Sequence, residues 1–285
     1  MSAIILDGKA SAEKWYQQAE HFLKQHTTLD PSLAVIVIGN DPATKIYVNN
    51  KIKACNRLGI RNYEYLLPND CSNYDVISVI KQLNADESIK AIMLQLPLPP
   101  QLDYSTIINY INPDKDVEGV TFKKIGQLST NVQNIVPCTP SGIWRLLQDY
   151  NIQLDNKHVV IVGRSNIVGK PLGMLLLNEN ATVTICHSHT PNLKEICKTA
   201  DIFIADTGLP QYFTTDYIKD GAIVIDCGMD RNKENKLCGD VDFENVKEIA
   251  TYITPVPGGV GKMTVAALMW NTIMCAIQWQ RNQMK

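Results

Sequence analysis

Short apolar runs alternate along the chain with stretches of helical period. LAVIVIG (33–39) and AIMLQL (91–96) read as buried strands, separated by a helix over about 42–58, a strand NYEYLL (62–67) and a helix near 74–84. A second series begins with HVVIVG (158–163) and continues through ATVTIC (181–186), DIFIA (201–205) and AIVID (222–226), each of the first three followed by a helix-like stretch. Continuous apolar strands alternating with helices are what parallel sheets covered by helices require, so the pattern predicts an α/β protein made of two units.

Between the two series, INPDKDVEGV and the stretch through NVQNIVPCTPSG interrupt any period with proline, asparagine and glycine and mark a connection. The expected domains are therefore 1–119 and 137–265. A last apolar helix, roughly 263–281, follows the TPVPGGVG turn, and the segment 266–285 is expected to pack back onto the first domain. There is no repeat of solenoid period and no charge block.

Composition narrows the function classes. The 285 residues carry 27 basic and 29 acidic side chains, a formal net of −2, so no overall basic field exists to hold nucleic acid or an anionic membrane. A hydrophobic share of 45% against 20% charged residues predicts a soluble globular protein. MSAIILDGKA lacks a basic region feeding an apolar one, so no secretory signal is expected. The most apolar stretch, Met263 to Trp279, is about one turn short of a bilayer span and reads as a buried helix. The eight cysteines form no CxxC pair and are expected as reduced thiols, and His187 and His189 have no further ligand at matching spacing, so no metal site is expected.

HVVIVGRSNIVGKP delivers a strand through Gly163 and a loop to Gly169 into a helix. Such a turn presents helix N-terminal amides to a pyrophosphate, although Ser165 occupies the second glycine position of the usual fingerprint. Where an NAD site places a carboxylate on the ribose, about twenty residues on, the chain reads Cys186-His187-Ser188. With Arg164, Ser165 and Ser188 as donors and no acid, the pattern favours NADP.

A second set of residues has the character of a reaction site. Tyr47 and Lys51 are four apart on a predicted helix and share a face, so a ring and an amine stand side by side. Gln95 lies at the carboxyl end of a buried strand, where open α/β sheets bind ligands. Asp116 and Glu118 follow on the connection, and TPVPGGVG, with Pro257, Gly258 and Gly259, is a loop that can approach a ligand closely.

YVNNKIKAC, QLPLP, PDKDVEG, PCTPSG, VVIVGRSNIVGKP, CHSHT, GAIVIDCG, GDV and TPVPGGVGKMT stand in an order and spacing that resemble the bifunctional methylenetetrahydrofolate dehydrogenase/methenyltetrahydrofolate cyclohydrolase family over nearly the whole chain. The resemblance implies a folate-binding N-terminal domain, a C-terminal Rossmann-type doubly wound parallel sheet that binds NADP, and a cleft between the two. It implies NADP-dependent oxidation of 5,10-methylenetetrahydrofolate and hydrolysis of the methenyl product to 10-formyltetrahydrofolate, by a cytoplasmic homodimer whose partners are tetrahydrofolate derivatives.

Carried over by position, the resemblance makes Lys51 the catalytic lysine, Tyr47 the ring against the folate and Gln95 the amide that positions the lysine. Glu118, Pro257, Gly258 and Gly259 become folate contacts, and Gly163, Arg164, Ser165, Gly169, Ser188 and Met229 cofactor contacts. Two positions depart from the family pattern: Glu118 replaces Asp, and Lys262 replaces Pro. A dehydrogenase acting on another small substrate and a non-catalytic folate or nucleotide binder are the competing classes.

Overall fold

A computed structural model describes residues 2–132 and 135–283. Met1, the Gln133-Asn134 step of the expected connection and the last two residues of the expected C-terminal segment, Met284 and Lys285, lie outside the described residues. In chain order the first half contains β1 (Ile4–Ile5), α1 (Gly8–Gln25), β2 (Ser32–Ile38), α2 (Pro42–Leu58), β3 (Arg61–Leu67), α3 (Asn73–Ala85), β4 (Ala91–Leu94), α4 (Tyr104–Ile108) and α5 (Phe122–Ser129). There follow α6 (Cys138–Asp149), β5 (His158–Val162), α7 (Gly169–Asn178), β6 (Thr182–Cys186), α8 (Leu193–Cys197), β7 (Ile202–Ala205) and β8 (Ile223–Asp226). The chain then forms β9 (Asp230–Arg231), β10 (Leu237–Cys238), α9 (Phe243–Val246), β11 (Tyr252–Ile253) and α10 (Val260–Gln283).

Two units emerge. One comprises Trp15–Cys138 with Val265–Lys285. Its parallel sheet runs β3-β2-β4, and every residue of the central strand β2 is buried, as a strand covered on both faces requires. Local chemistry sets the ends of α2: Asp41 accepts the Thr44 amide at 2.7 Å, Pro42 opens the helix, and Gly59 ends it at φ 66°. A reciprocal capping box between Ser72 and Asp75 starts α3. Ile36, Ile80, Ile92, Leu94 and Ile107 fill the core beneath.

The other unit comprises Met1–Lys14 with Thr139–Thr264. Its sheet is parallel throughout in the order β1-β11-β8-β7-β5-β6. Since the strand after β5 pairs on one side of it and the next on the other, the order switches at β5 and β7, the position where doubly wound sheets open a ligand crevice at their carboxyl ends. Phe203 and Phe213 meet edge to face at 5.2 Å inside this unit's core.

The structure departs from the sequence reading at four points. The first strand pairs Ile4 with Tyr252, so the initial residues join the six-stranded sheet rather than the expected 1–119 domain. The stretch read as a connection contains α5 and the start of α6, whose Pro140 sits in the first turn where a missing N–H costs nothing. No α-helix lies between β7 and β8; a loop leads to a 3₁₀ turn at Thr215–Tyr217. Finally, α10 has 24 residues and is by length and composition apolar enough to cross a membrane, yet Met263, Ala267, Met269, Ile273 and Cys275 along it are fully buried in the protein.

Candidate active site

Within the three-stranded unit, α2 and the end of β4 bring together two side chains 44 residues apart: Lys51 Nζ donates to Gln95 Oε1 at 2.5 Å. Gln95 is the first residue beyond β4, and its own amide reaches the Ile36 carbonyl at 2.9 Å, so the strand end fixes its place. Its side-chain nitrogen is committed to the Leu96 carbonyl at 2.5 Å, which turns the amide oxygen toward the lysine. Burial lowers the Lys51 pKa, while Glu118 and then Cys138 act in the opposite sense. Tyr47, one turn earlier on α2, is 41% exposed.

Glu118 belongs to the same group of charges. Its Oε2 is shut off from solvent with no hydrogen-bond partner, and burial pushes its carboxyl up to about 7 despite the opposing pull of Lys51. Asp116, fully buried, pins the turn that carries it by accepting the amides of Gly119 at 2.9 Å and Thr121 at 2.8 Å. From α10, Asn271 donates to the carbonyls of Val117 and Val136 at 3.0 Å each and lies 3.6 Å from Cys138 Sγ. Thus the carboxylate is presented by a backbone held on both sides. A lysine, an amide and an acid whose proton affinities are drawn toward the physiological range form a site suited to moving protons.

In the six-stranded unit the turn after β5 is built around two glycines. Gly163 lies at φ 140°, and a β-carbon there would stand 2.2 Å from the Asp206 carbonyl oxygen; one on Gly169 would stand 2.3 Å from the Gly163 carbonyl oxygen. A backbone this close-packed is the cradle a pyrophosphate needs, so the residues present fit a dinucleotide. The Ser165 hydroxyl donates to Asp206 Oδ2 at 2.9 Å and accepts the amides of Val168 and Gly169 at 3.0 and 3.1 Å. Its one proton is therefore directed at Asp206, where the sequence reading gave it to a 2′-phosphate, and it binds two of the helix's first amides itself.

Arg164 and Ser188 are exposed at the ends of β5 and β6, two strands paired in register up to Val162 and Cys186. The Arg164 charge, after desolvation, helps keep His187 below the usual histidine range, which places the guanidinium near that strand end. An arginine and a hydroxyl, with no carboxylate on either turn, are donors of the kind that bind a dianion. Met229, 45% exposed, follows β8, and its terminal methyl would stand 2.8 Å from a β-carbon on Gly261. Gly258, at φ 117°, accepts the Lys9 amide at 3.2 Å, and the Gly259 carbonyl lies against Gly8. The loop of Pro257, Gly258 and Gly259 is thereby fastened to the start of α1.

The structure thus groups the expected residues in two sets: Tyr47, Lys51, Gln95 and Glu118 in one unit; Gly163, Arg164, Ser165, Gly169, Ser188, Met229 and the 257–259 loop in the other. Sequence reasoning missed Cys138, Asn271, Tyr104 and Asp206 as neighbours of these sets. Asp206 alone left a trace, an acid directly after an apolar strand, repeated by Asp226 at the end of β8.

Residues 6–118 match the family model described as tetrahydrofolate dehydrogenase/cyclohydrolase, catalytic domain, and residues 137–280 match the NAD(P)-binding domain of the same family. The bifunctional protein FolD of Agathobacter rectalis is 48% identical over 277 residues, covering 95% of this chain and 98% of its own. Among solved structures, the bifunctional FolD methylenetetrahydrofolate dehydrogenase/cyclohydrolase of Campylobacter jejuni superposes with a TM-score of 0.93 at 40% identity, over 99% of this chain and all of that one. The Trypanosoma brucei methylenetetrahydrofolate dehydrogenase-cyclohydrolase, complexed with NADP cofactor and inhibitor, gives a TM-score of 0.92 at 33% identity with both chains fully covered.

Proposed function

The chain belongs to the tetrahydrofolate dehydrogenase/cyclohydrolase family, and we propose that the two residue sets just described carry its two activities. It is a bifunctional, NADP-dependent enzyme of one-carbon metabolism, oxidising 5,10-methylenetetrahydrofolate to the methenyl compound and hydrolysing that to 10-formyltetrahydrofolate.

In this reading Gly163 and Gly169 allow close approach of the dinucleotide, Arg164 and Ser188 bind its 2′-phosphate, and Met229 lies along it. NADP⁺, when bound, supplies the acceptor for the hydride that leaves the methylene carbon. The protein's share of that step is orientation: Tyr47 stacks on the folate, and Glu118 holds it. In the hydrolytic step Lys51, in its neutral form, takes a proton from the attacking water or the tetrahedral adduct, while Gln95 fixes the amine without adding charge. One observation carries the proposal, the hydrogen bond from a pKa-lowered Lys51 to Gln95 at a strand's carboxyl end.

Family membership and the near-zero net charge support a cytoplasmic homodimer acting on tetrahydrofolate derivatives, with no nucleic-acid or membrane partner. The decisive assay mixes purified protein with 5,10-methylenetetrahydrofolate and either NADP⁺ or NAD⁺, following reduced cofactor, methenyl intermediate and 10-formyl product together. Product formed faster with NADP⁺ is expected. Cofactor reduction with hydrolysis no faster than the spontaneous rate would limit the enzyme to the dehydrogenase, and binding of both ligands without turnover would make it a non-catalytic binder.

A further inference from the structure

Gly239, Asp240 and Val241 belong to neither residue set, yet the acid among them is fully buried and spends its acceptor capacity on one tripeptide. Asp240 Oδ2 accepts the Thr207 amide at 2.7 Å, the Thr207 hydroxyl at 2.9 Å and the Gly208 amide at 3.2 Å, while Oδ1 accepts the Leu209 amide at 2.9 Å. Three consecutive amides converging on one carboxylate form an anion nest, here filled by the chain itself from 31 to 33 residues away. The loop so held opens at the carboxyl end of β7, beside the strand-order switch. Asp206, which leads into it, packs on the nucleotide turn: a β-carbon on Gly163 would strike the Asp206 carbonyl oxygen, and the Asp206 carboxylate accepts the Ser165 hydroxyl.

Asp240 is itself fixed from β8. Asp226, the last residue of that strand, accepts the amides of Gly228 and Asp240 on Oδ1 and of Val241 on Oδ2, each at 2.9 Å. Gly239 packs so tightly there that a β-carbon on it would stand 2.0 Å from Asp226 Oδ2. One acid therefore holds both the turn that carries Asp240 and the Gly228 amide, next to Met229. The loops after β7 and β8 are joined through two buried carboxylates, while Leu209 on the first and Met229 on the second stay nearly half exposed.

Resting on the reading of this crevice as the NADP⁺ site, we propose that Asp240 is a positioning residue for the cofactor: its carboxylate fixes the loop 207–209 beside the nucleotide turn and ties it to the loop of Met229. Asp240 touches no reacting atom. It orders the loop before the dinucleotide arrives, so binding does not have to supply that ordering.

Asp240→Asn keeps the size of the side chain but sets one oxygen and an NH₂ group against four donors, so at least one N–H of the loop loses its acceptor. In the full-length protein without cofactor, hydrogen exchange of the amides of 207–209 should quicken by about tenfold. KM and Kd for NADP⁺ should rise by about tenfold, with the hydrolytic kcat on the methenyl compound, which needs no NADP⁺, at its wild-type value. A general structural loss would instead lower both activities with the KM for NADP⁺ in place. That result, unchanged exchange, or faster exchange with unchanged NADP⁺ affinity would each overturn the proposal. Should Asp240→Asn not fold, Thr207→Val decides, since it deletes the hydroxyl donor and leaves the acid and the amides: a rise in NADP⁺ KM of about threefold is expected, and an unchanged KM would overturn the proposal. Wild-type protein that binds no NADP⁺ would remove the proposed function and this role together, whereas a loosened loop without effect on binding removes the role alone.

Discussion

Gly169 presses so closely on Gly163 that it tolerates no side chain: a β-carbon on Gly169 would meet the Gly163 carbonyl oxygen at 2.3 Å, and Gly163 itself lies at φ 140° with the Asp206 carbonyl oxygen 2.2 Å from where its β-carbon would stand. This contact ties the start of α7 to the end of β5 beside the point where the strand order of the six-stranded sheet switches. Ser165, on the intervening loop, is held to Asp206 by a hydrogen bond of 2.9 Å.

Gly169→Ala should therefore cost stability and nucleotide affinity together. The obstacle is backbone, which cannot rotate aside, so a loss of about 1–3 kcal/mol is expected for the overpacked turn. Urea unfolding gives the first quantity and NADP⁺ titration the second. A variant as stable as wild type would mean that the turn relaxes freely and that its geometry does not define the site.

Arg164→Ala should separate the two nicotinamide cofactors. If the guanidinium pairs with the 2′-phosphate, its loss removes a charge-assisted bond worth about 1.5–3 kcal/mol, or roughly tenfold to a hundredfold in NADP⁺ affinity. NAD⁺ lacks that group and should bind almost as before. Equal weakening of both, measured as kcat/KM for each cofactor, would take Arg164 off the phosphate.

How much of this was legible beforehand depended on sequence distance. The helix over 42–58 was readable because Asp41, Pro42 and Gly59 mark its ends within the segment itself, and β2 and β5 announce themselves as unbroken apolar runs. The two-residue strands β1 and β11 carry no pattern at all, since their place is set by pairing with each other and with β8. Helix α5 was hidden because it lies in the stretch that proline, asparagine and glycine marked as a connection. Lys51 and Gln95 were each suspected for local reasons, but their contact arises only when α2 packs beside the end of β4. The Ser165 hydrogen bond was hidden for the same reason: its acceptor, Asp206, is 41 residues away in the sequence.

Asp206 gives a stability prediction with a definite sign. Burial, partly offset by the Ser165 hydrogen bond, raises its carboxyl to about 6, above the value near 3.9 expected in the unfolded chain. The native state then binds more protons than the unfolded one between about pH 4 and 6, so this group's contribution falls as pH rises and its full penalty applies above the folded value. Asp206→Asn, whose amide oxygen can still accept from Ser165, should be more stable relative to wild type at pH 7.5 than at pH 4.5, by about 1–2 kcal/mol after allowance for solvent. Denaturant midpoints at the two pH values provide the check. A relative stability independent of pH would show that Asp206 is not desolvated in solution.

Lys51 can be probed with two replacements that fail for different reasons. Lys51→Met keeps most of the stem and removes the amine; Lys51→Arg keeps a donor for Gln95 Oε1 but cannot release its proton at any working pH. If the neutral amine is the base, both variants should lose the hydrolytic activity by about 10²–10⁴-fold, even though only one of them retains the hydrogen bond. NADP⁺ binding should survive in each, because the nucleotide turn belongs to the other unit and shares no residue with α2. Retention of hydrolysis by the arginine variant would show that position 51 acts as a fixed positive charge on the developing oxyanion rather than as a base. Retention by the methionine variant would remove the residue from the chemistry altogether and return attention to Glu118 as the group that takes the proton.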